Sequence, residues 1–91
     1  MSYNIQATRQ YDKDVKLAKK RGLDVNKLIE VVCKLANDEV LPAQNRDHAL
    51  SGNYAGHREC HISPDWLLIY KKAEEIKLIT LIRTGSHSDL F

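Results

Sequence analysis

His57-Arg58-Glu59-Cys60-His61-Ile62-Ser63-Pro64-Asp65-Trp66-Leu67-Leu68-Ile69-Tyr70 is the stretch whose reading decides the fold. It reads as a β-hairpin of two strands meeting at Ser63-Pro64-Asp65. Serine then proline suits the first two positions of a type I turn, because proline's ring presets φ for the second. The left strand alternates, with Cys60 and Ile62 on one face and Glu59 and His61 on the other. The right strand, Trp66 to Tyr70, is apolar on both faces, which predicts a central strand covered on both sides. Ionisable groups beside a rigid strand end are well placed for chemistry, because the scaffold fixes their geometry.

Working outward, Lys71 to Glu75 is a charged turn, and Leu78 to Arg83 is a further apolar strand that Gly85 ends. The tail, Ser86-His87-Ser88-Asp89-Leu90-Phe91, has a hydrophobic end able to tuck back onto the sheet. Upstream, Asn37 to Gly56 has no period and holds Pro42, His48 and Gly52. A connection of that length in a small domain is more often functional than idle. Before it, Val25, Leu28, Ile29, Val32, Leu35 and Ala36 form the strongest helical stripe in the chain, with Asp24 as N-cap. Arg9 to Arg21 is a second helix, with Tyr11, Val15, Leu17 and Ala18 on its apolar side. Gly22 after Lys19-Lys20-Arg21 suits its C-terminus. Tyr3 to Thr8 alternates weakly as a first strand.

The order β-α-α-β-β-β predicts an α+β fold in a single domain over residues 1–91. The sheet is expected to have four mainly antiparallel strands, with the helical hairpin packed on one face and the other face open.

A chain of 91 residues buries only about 60–65% of the surface its unfolded form exposes. A partner that covers apolar surface would therefore help it. The formal charge is only +2, but Arg9 to Arg21 holds six cations against two acids. That clustering permits a nucleic-acid partner without demanding one. No run of about 18 apolar residues exists, so no membrane association is expected. The Met1-Ser2-Tyr3-Asn4 start has no basic-then-apolar leader. Cys33 and Cys60 fall on different elements and read as reduced thiols in a cytoplasmic protein.

Three of the four histidines stand at pointed places: His48 in the long loop, His61 at the hairpin end, His87 past the last strand. Imidazole titrates near neutrality, so two placed histidines can give and take a proton in one reaction. Asp65 can orient an imidazole or act as a base. Arg83 can grip a phosphate with two donors and offset charge in a transition state. Trp66, with Phe91 or Tyr70, offers a face on which an unpaired base can stack. The set matches metal-free RNA cleavage by the RNA's own 2′-hydroxyl, which needs a base, an acid and a cation at the phosphorane.

Plainer readings stand beside this one. A loop histidine is commonly solvated, Trp66 suits the core, Arg58 and Glu59 suit a cross-strand pair, and the basic helix suits a solvated face. Cys60-His61 with His87 does not have zinc-site spacing, and no metal or other cofactor is expected. A non-enzymatic RNA- or DNA-binding module is the alternative function.

Asp47-His48-Ala49-Leu50-x-Gly52, the hairpin from Arg58 to Tyr70, and Arg83-Thr84-Gly85-Ser86-His87-Ser88-Asp89-Leu90-Phe91 strongly resemble the YafQ branch of the RelE/ParE toxins of bacterial type II toxin–antitoxin systems. The resemblance runs in order over the second half of the chain. It implies a RelE-like fold and a ribosome-dependent mRNA endonuclease that cuts codons in the A site. It also implies a cognate antitoxin, a DNA-binding, acidic and partly disordered protein. Carried onto this sequence, the acting positions are His48, His61, Asp65, Arg83 and His87, with Trp66 and Phe91 helping to hold the mRNA. His87 is the leading general acid, and His48 or Asp65 the base. His61 orients or protonates, and Arg83 stabilises the phosphorane. Ala49 stands where the family often has proline, and His57 where it often has a larger aromatic. ParE relatives act on gyrase and are not nucleases; a gyrase-directed toxin is the alternative on the same fold.

Overall fold

The computed structural model describes residues 2–91; Met1, the start of the stretch read above as lacking a leader, lies outside them. The strands are β1 (Asn4–Ala7), β2 (His48–Ala49), β3 (Arg58–Ser63), β4 (Trp66–Ala73) and β5 (Leu78–Gly85). The helices are α1 (Arg9–Lys20), α2 (Val25–Ala36) and the single turn α3 (His87–Leu90). Among the described residues the strands make one sheet in the order β1-β5-β4-β3-β2. β3, β4 and β5 form the expected antiparallel meander, while β1 runs parallel to β5.

This corrects the expected sheet in one respect: it has five strands, not four. The extra strand is the pair His48-Ala49, which hydrogen-bonds along β3 opposite Arg58 and Glu59. Two residues show no periodicity, so only the partner strand reveals them.

β4 lies at the centre, and Leu67, Leu68 and Ile69 are fully buried. Each such aliphatic side chain stabilises the fold by about 1.5–3 kcal/mol relative to exposure. On one face, Trp66, Leu68 and Tyr70 pack with Cys60 of β3, Ile79 and Leu81 of β5, and the two long helices. On the other, Leu67 and Ile69 pack with Leu90 of the tail, flanked by Leu50, Tyr54 and Ile82. The second face is therefore not open as expected. The long loop and the tail cover it, and both carry histidines.

The helix ends follow the sequence. Thr8 and Asp24 cap α1 and α2 by accepting from the amides of Tyr11 and Asn26. Gly22 sits at φ +80°, a conformation that suits glycine, and lets the chain reverse into α2. α2 is rotated slightly from the predicted stripe: Val31 joins Leu28 and Leu35 in the core, and Ile29 is exposed.

Candidate active site

Pro64 and Asp65 form the tip of the hairpin, because Ser63 pairs with Trp66. The next pair is His61 with Leu67, leaving Ile62 as an extra residue, a β-bulge at the rim of the sheet. Asp65 projects from this tip toward the tail. Its Oδ1 accepts from the backbone N–H of His87 at 3.0 Å and lies 2.7 Å from that residue's Nδ1. A carboxylate only accepts, so Nδ1 carries the proton and Nε2 is left for a substrate. The His87 backbone bond and then its ring bond hold the Asp65 carboxyl below the usual range.

The His61 ring stands 5.7 Å from the His87 ring, centroid to centroid, at an interplanar angle of 60°. Asn45 fixes His61 from behind by donating to its carbonyl at 2.7 Å. Opposite β3, His48 has Nδ1 2.6 Å from the Arg46 carbonyl, so that nitrogen is again the protonated one. Nε2 of His48 and Nε2 of His61 lie 3.7 and 3.6 Å from the same oxygen, Oε1 of Glu59. Three imidazoles thus line one stretch of surface, on the sheet face opposite the two long helices. His57 is apart from that set, edge-on to the Tyr54 ring at 6.0 Å.

Arg83 owes its position to a second bulge. Tyr70 pairs with Leu81 and Ile69 with Arg83, so Ile82 is the extra residue. The guanidinium grips Asp14 of α1 with Nε at 3.1 Å and Nη2 at 3.0 Å. The Thr84 amide at 3.2 Å and Gln10 Nε2 at 3.0 Å complete the shell of Asp14. Burial pushes the Asp14 carboxyl up, but the bonds from Arg83, Gln10 and Thr84 outweigh it and leave it below its ordinary value. Arg83 is raised in turn, chiefly by its bond to Asp14. Asp14 takes two of the five guanidinium N–H groups, so three remain for a phosphate.

Two expectations about base stacking need correction. Trp66 is only 3% exposed, packs in the main core and donates Nε1–H to Thr84 Oγ1 at 2.9 Å. Tyr70 is buried too, with its hydroxyl donating to Asp47 at 2.6 Å. Neither offers a ring face to a base. Phe91 does, being 64% exposed and edge-on to Tyr54 at 5.7 Å. The supposed Arg58–Glu59 pair is also absent: Arg58 Nε bonds Asp47 at 3.3 Å, while Glu59 is buried between the histidines.

Glu59 and Asp14 are the residues the sequence reading missed. Alternation along β3 already puts Glu59 on the face of His61, so a signal existed. Asp14 lies 69 positions from Arg83, and only the fold joins them. Among the described residues no group of three His, Cys, Asp or Glu could hold a metal ion. No helix there is long and apolar enough to cross a membrane.

Residues 3–91 match the family described as "Bacterial toxin of type II toxin-antitoxin system, YafQ". A curated relative, the mRNA interferase toxin YafQ of Escherichia coli K12, is 47% identical over 89 residues, covering 97% of this chain and 95% of the relative. The crystal structure of the E. coli DinJ-YafQ toxin-antitoxin complex contains a chain that superposes with a TM-score of 0.90 at 46% identity, covering 100% of this chain and 99% of that one. A metal-bound toxin from Helicobacter pylori superposes at 0.91 with 40% identity and full coverage of both chains. On sequence and on structure alike, this chain belongs to the YafQ family of bacterial type II toxin–antitoxin toxins.

Proposed function

We propose that this chain is an mRNA interferase, an endoribonuclease that arrests translation by cutting mRNA on the ribosome. Its E. coli relative carries that name. The observation that carries the reading is the pairing of His61 with His87 at 5.7 Å, with Asp65 fixing the tautomer of His87.

In the proposed reaction His48 takes the proton of a ribose 2′-hydroxyl through Nε2, and His61 shares that role beside it. The 2′-oxygen attacks phosphorus. Arg83 offsets the charge of the phosphorane with the donors Asp14 leaves free. His87, protonated at Nε2, gives its proton to the departing 5′-oxygen. The products are a 2′,3′-cyclic phosphate and a 5′-hydroxyl. Asp65 serves as the orienting anion of His87, because its Oδ1 accepts from both the backbone and the ring of that residue. Proton transfer by placed groups supplies about 10²–10⁴-fold. Phe91 supplies a stacking face for the scissile base. The cationic α1 suits ribosomal RNA, so the ribosomal A site and its mRNA are the proposed substrate setting. The metal-free character of the reaction belongs to this proposal as well.

The partner is an acidic antitoxin, partly disordered when free and DNA-binding elsewhere in its chain. The E. coli relative is held by DinJ in its complex, which supports a counterpart here. The proposed location is the cytoplasm, where the ribosomes are.

Tightly controlled expression followed by mapping of mRNA 5′ ends tests the proposal. Growth arrest with new in-frame cuts, lost in His87→Ala, is expected. DNA damage with intact transcripts would instead favour a gyrase-directed toxin and overturn the nuclease reading.

A further inference from the structure

The tail that carries His87 and Phe91 is a single helical turn. One turn does not hold itself, because nucleating a helix fixes several dihedrals for one hydrogen bond. Something outside it must set where His87 stands. Leu90 anchors the far end by packing on Leu67 and Ile69. At the near end a capping box closes locally: Ser86 N–H donates to Asp89 Oδ2 at 2.9 Å, and Asp89 N–H to Ser86 Oγ at 3.2 Å. Among the described residues, the one charged side chain from outside the tail that grips Asp89 is Arg21. Its guanidinium forks onto that carboxylate at 2.6 and 3.2 Å, across 68 residues of sequence. Arg21 is itself fixed as the C-cap residue of α1, with its N–H donating to the Leu17 carbonyl. A cleft of about 240 Å³, lined by Leu17 and Arg21 of the α1 side and by Gly85 and Asp89 of the tail side, lies here, and the ion pair spans it. Gly85 reports how closely the tail lies: a Cβ there would meet the Asp89 side chain at 3.0 Å.

We propose that Arg21 is a positioning residue for cleavage: by clamping Asp89 it holds the tail so that His87 meets Asp65 and His61. This rests on the nuclease reading for its catalytic consequence, but not for its structural one. Arg21 touches none of the reacting groups. It acts through Asp89 on the turn that begins with His87, and the clamp ties the end of α1 to the catalytic acid.

The test uses the full chain as wild type, Arg21→Gln, Asp89→Asn and the double variant. Asparagine keeps an acceptor for the Ser86 amide, but it removes the charge and turns the other oxygen into a donor that cannot accept from Arg21. Amide hydrogen exchange is the readout that does not depend on activity. The Leu90 and Phe91 amides, which donate to Ser86 and His87 carbonyls, should exchange about tenfold faster in each variant, with β4 unchanged. In ribosome-bound mRNA cleavage, both single variants should lower the single-turnover rate about tenfold, with the half-saturating ribosome concentration little changed. Misplacing a catalytic group by about 1 Å has effects of this order and larger. The double variant should be no slower than the slower single one. If Arg21 merely contacted RNA phosphate, Arg21→Gln would weaken binding and Asp89→Asn would tighten it. That pattern overturns the clamp. Unchanged tail exchange in Arg21→Gln overturns it too, whether or not the wild type cleaves RNA. A wild type that cuts nothing while the tail loosens as expected refutes the nuclease reading and leaves the clamp standing.

Discussion

Replacing Asp14 with alanine should both destabilise the fold and disable the site, and the structure sets the size of each effect. Asp14 is buried at 8% exposure and accepts from the Thr84 amide, itself on a residue only 2% exposed. Removing the carboxylate leaves that amide without its side-chain partner, at a cost of about 1–3 kcal/mol. The Arg83 side chain keeps 28% exposure, so water recovers part of its lost bonds and the ion pair adds only about 0–1 kcal/mol. The sum is about 1–4 kcal/mol. At about 4–8 °C per kcal/mol for a domain of this size, the midpoint of that range, about 2.5 kcal/mol, lowers the melting temperature by about 10–20 °C. The acid dependence has a definite sign. Asp14 has a lowered pKa in the folded protein, so its stabilisation is complete above the unfolded value of about 3.9 and disappears as pH falls through the lower folded value. The gap between wild type and variant should therefore stay constant from neutrality down to about pH 5 and close in stronger acid. Cleavage at a temperature where the variant remains folded should drop about 10²-fold, because Arg83 loses the fork that aims it. Urea melts at several pH values measure the first effect and single-turnover cleavage the second. A loss below about 0.5 kcal/mol, or a gap that widens in acid, would refute the buried-carboxylate account.

Further outcomes follow from neighbouring groups. Asp65→Asn keeps an acceptor for the His87 amide but removes the anion that fixes its ring, so single-turnover cleavage should fall about 10²–10⁴-fold with the melting temperature little changed; an unaltered rate would mean Asp65 is incidental. Trp66, the lone tryptophan, should show blue-shifted emission, weak quenching by acrylamide and no response to RNA; quenching like that of free tryptophan would contradict its place in the core. A thiol reagent should modify one cysteine per native chain and two in denaturant. Cys33 is exposed, whereas Cys60 is fully buried and burial pushes its thiol up to about 12. Two fast native reactions would contradict that burial.

What the sequence made legible follows from how local each signal is. The hairpin, the helix cap at Asp24 and the stop at Gly22 rest on near neighbours and short periods, and all appear where the pattern put them. The strand His48-Ala49 depends wholly on β3, so no local pattern announces it. Trp66 looked like a stacking platform because it sits at a strand end among polar residues. Only the packing of α1 and α2 over it, with Thr84 taking its indole N–H, makes it core. The histidine face was readable as a set of residue types but not as a geometry. His48 and His61 meet at Glu59 because β2 pairs with β3, and His87 joins them because the tail folds back onto Asp65. Asp14 gives no local signal, since either acid on a basic helix looks like a solvated charge until the β5 bulge brings Arg83 to it.

The chemistry of the cut ends tests the central claim most directly. Purified toxin should be mixed with ribosomes programmed with one short mRNA, and the fragments analysed by mass. A 2′,3′-cyclic phosphate on the upstream piece and a 5′-hydroxyl on the downstream piece, both absent with His87→Ala, is the result the account predicts. A 3′-hydroxyl with a 5′-phosphate, or cutting that survives loss of His87, would contradict it.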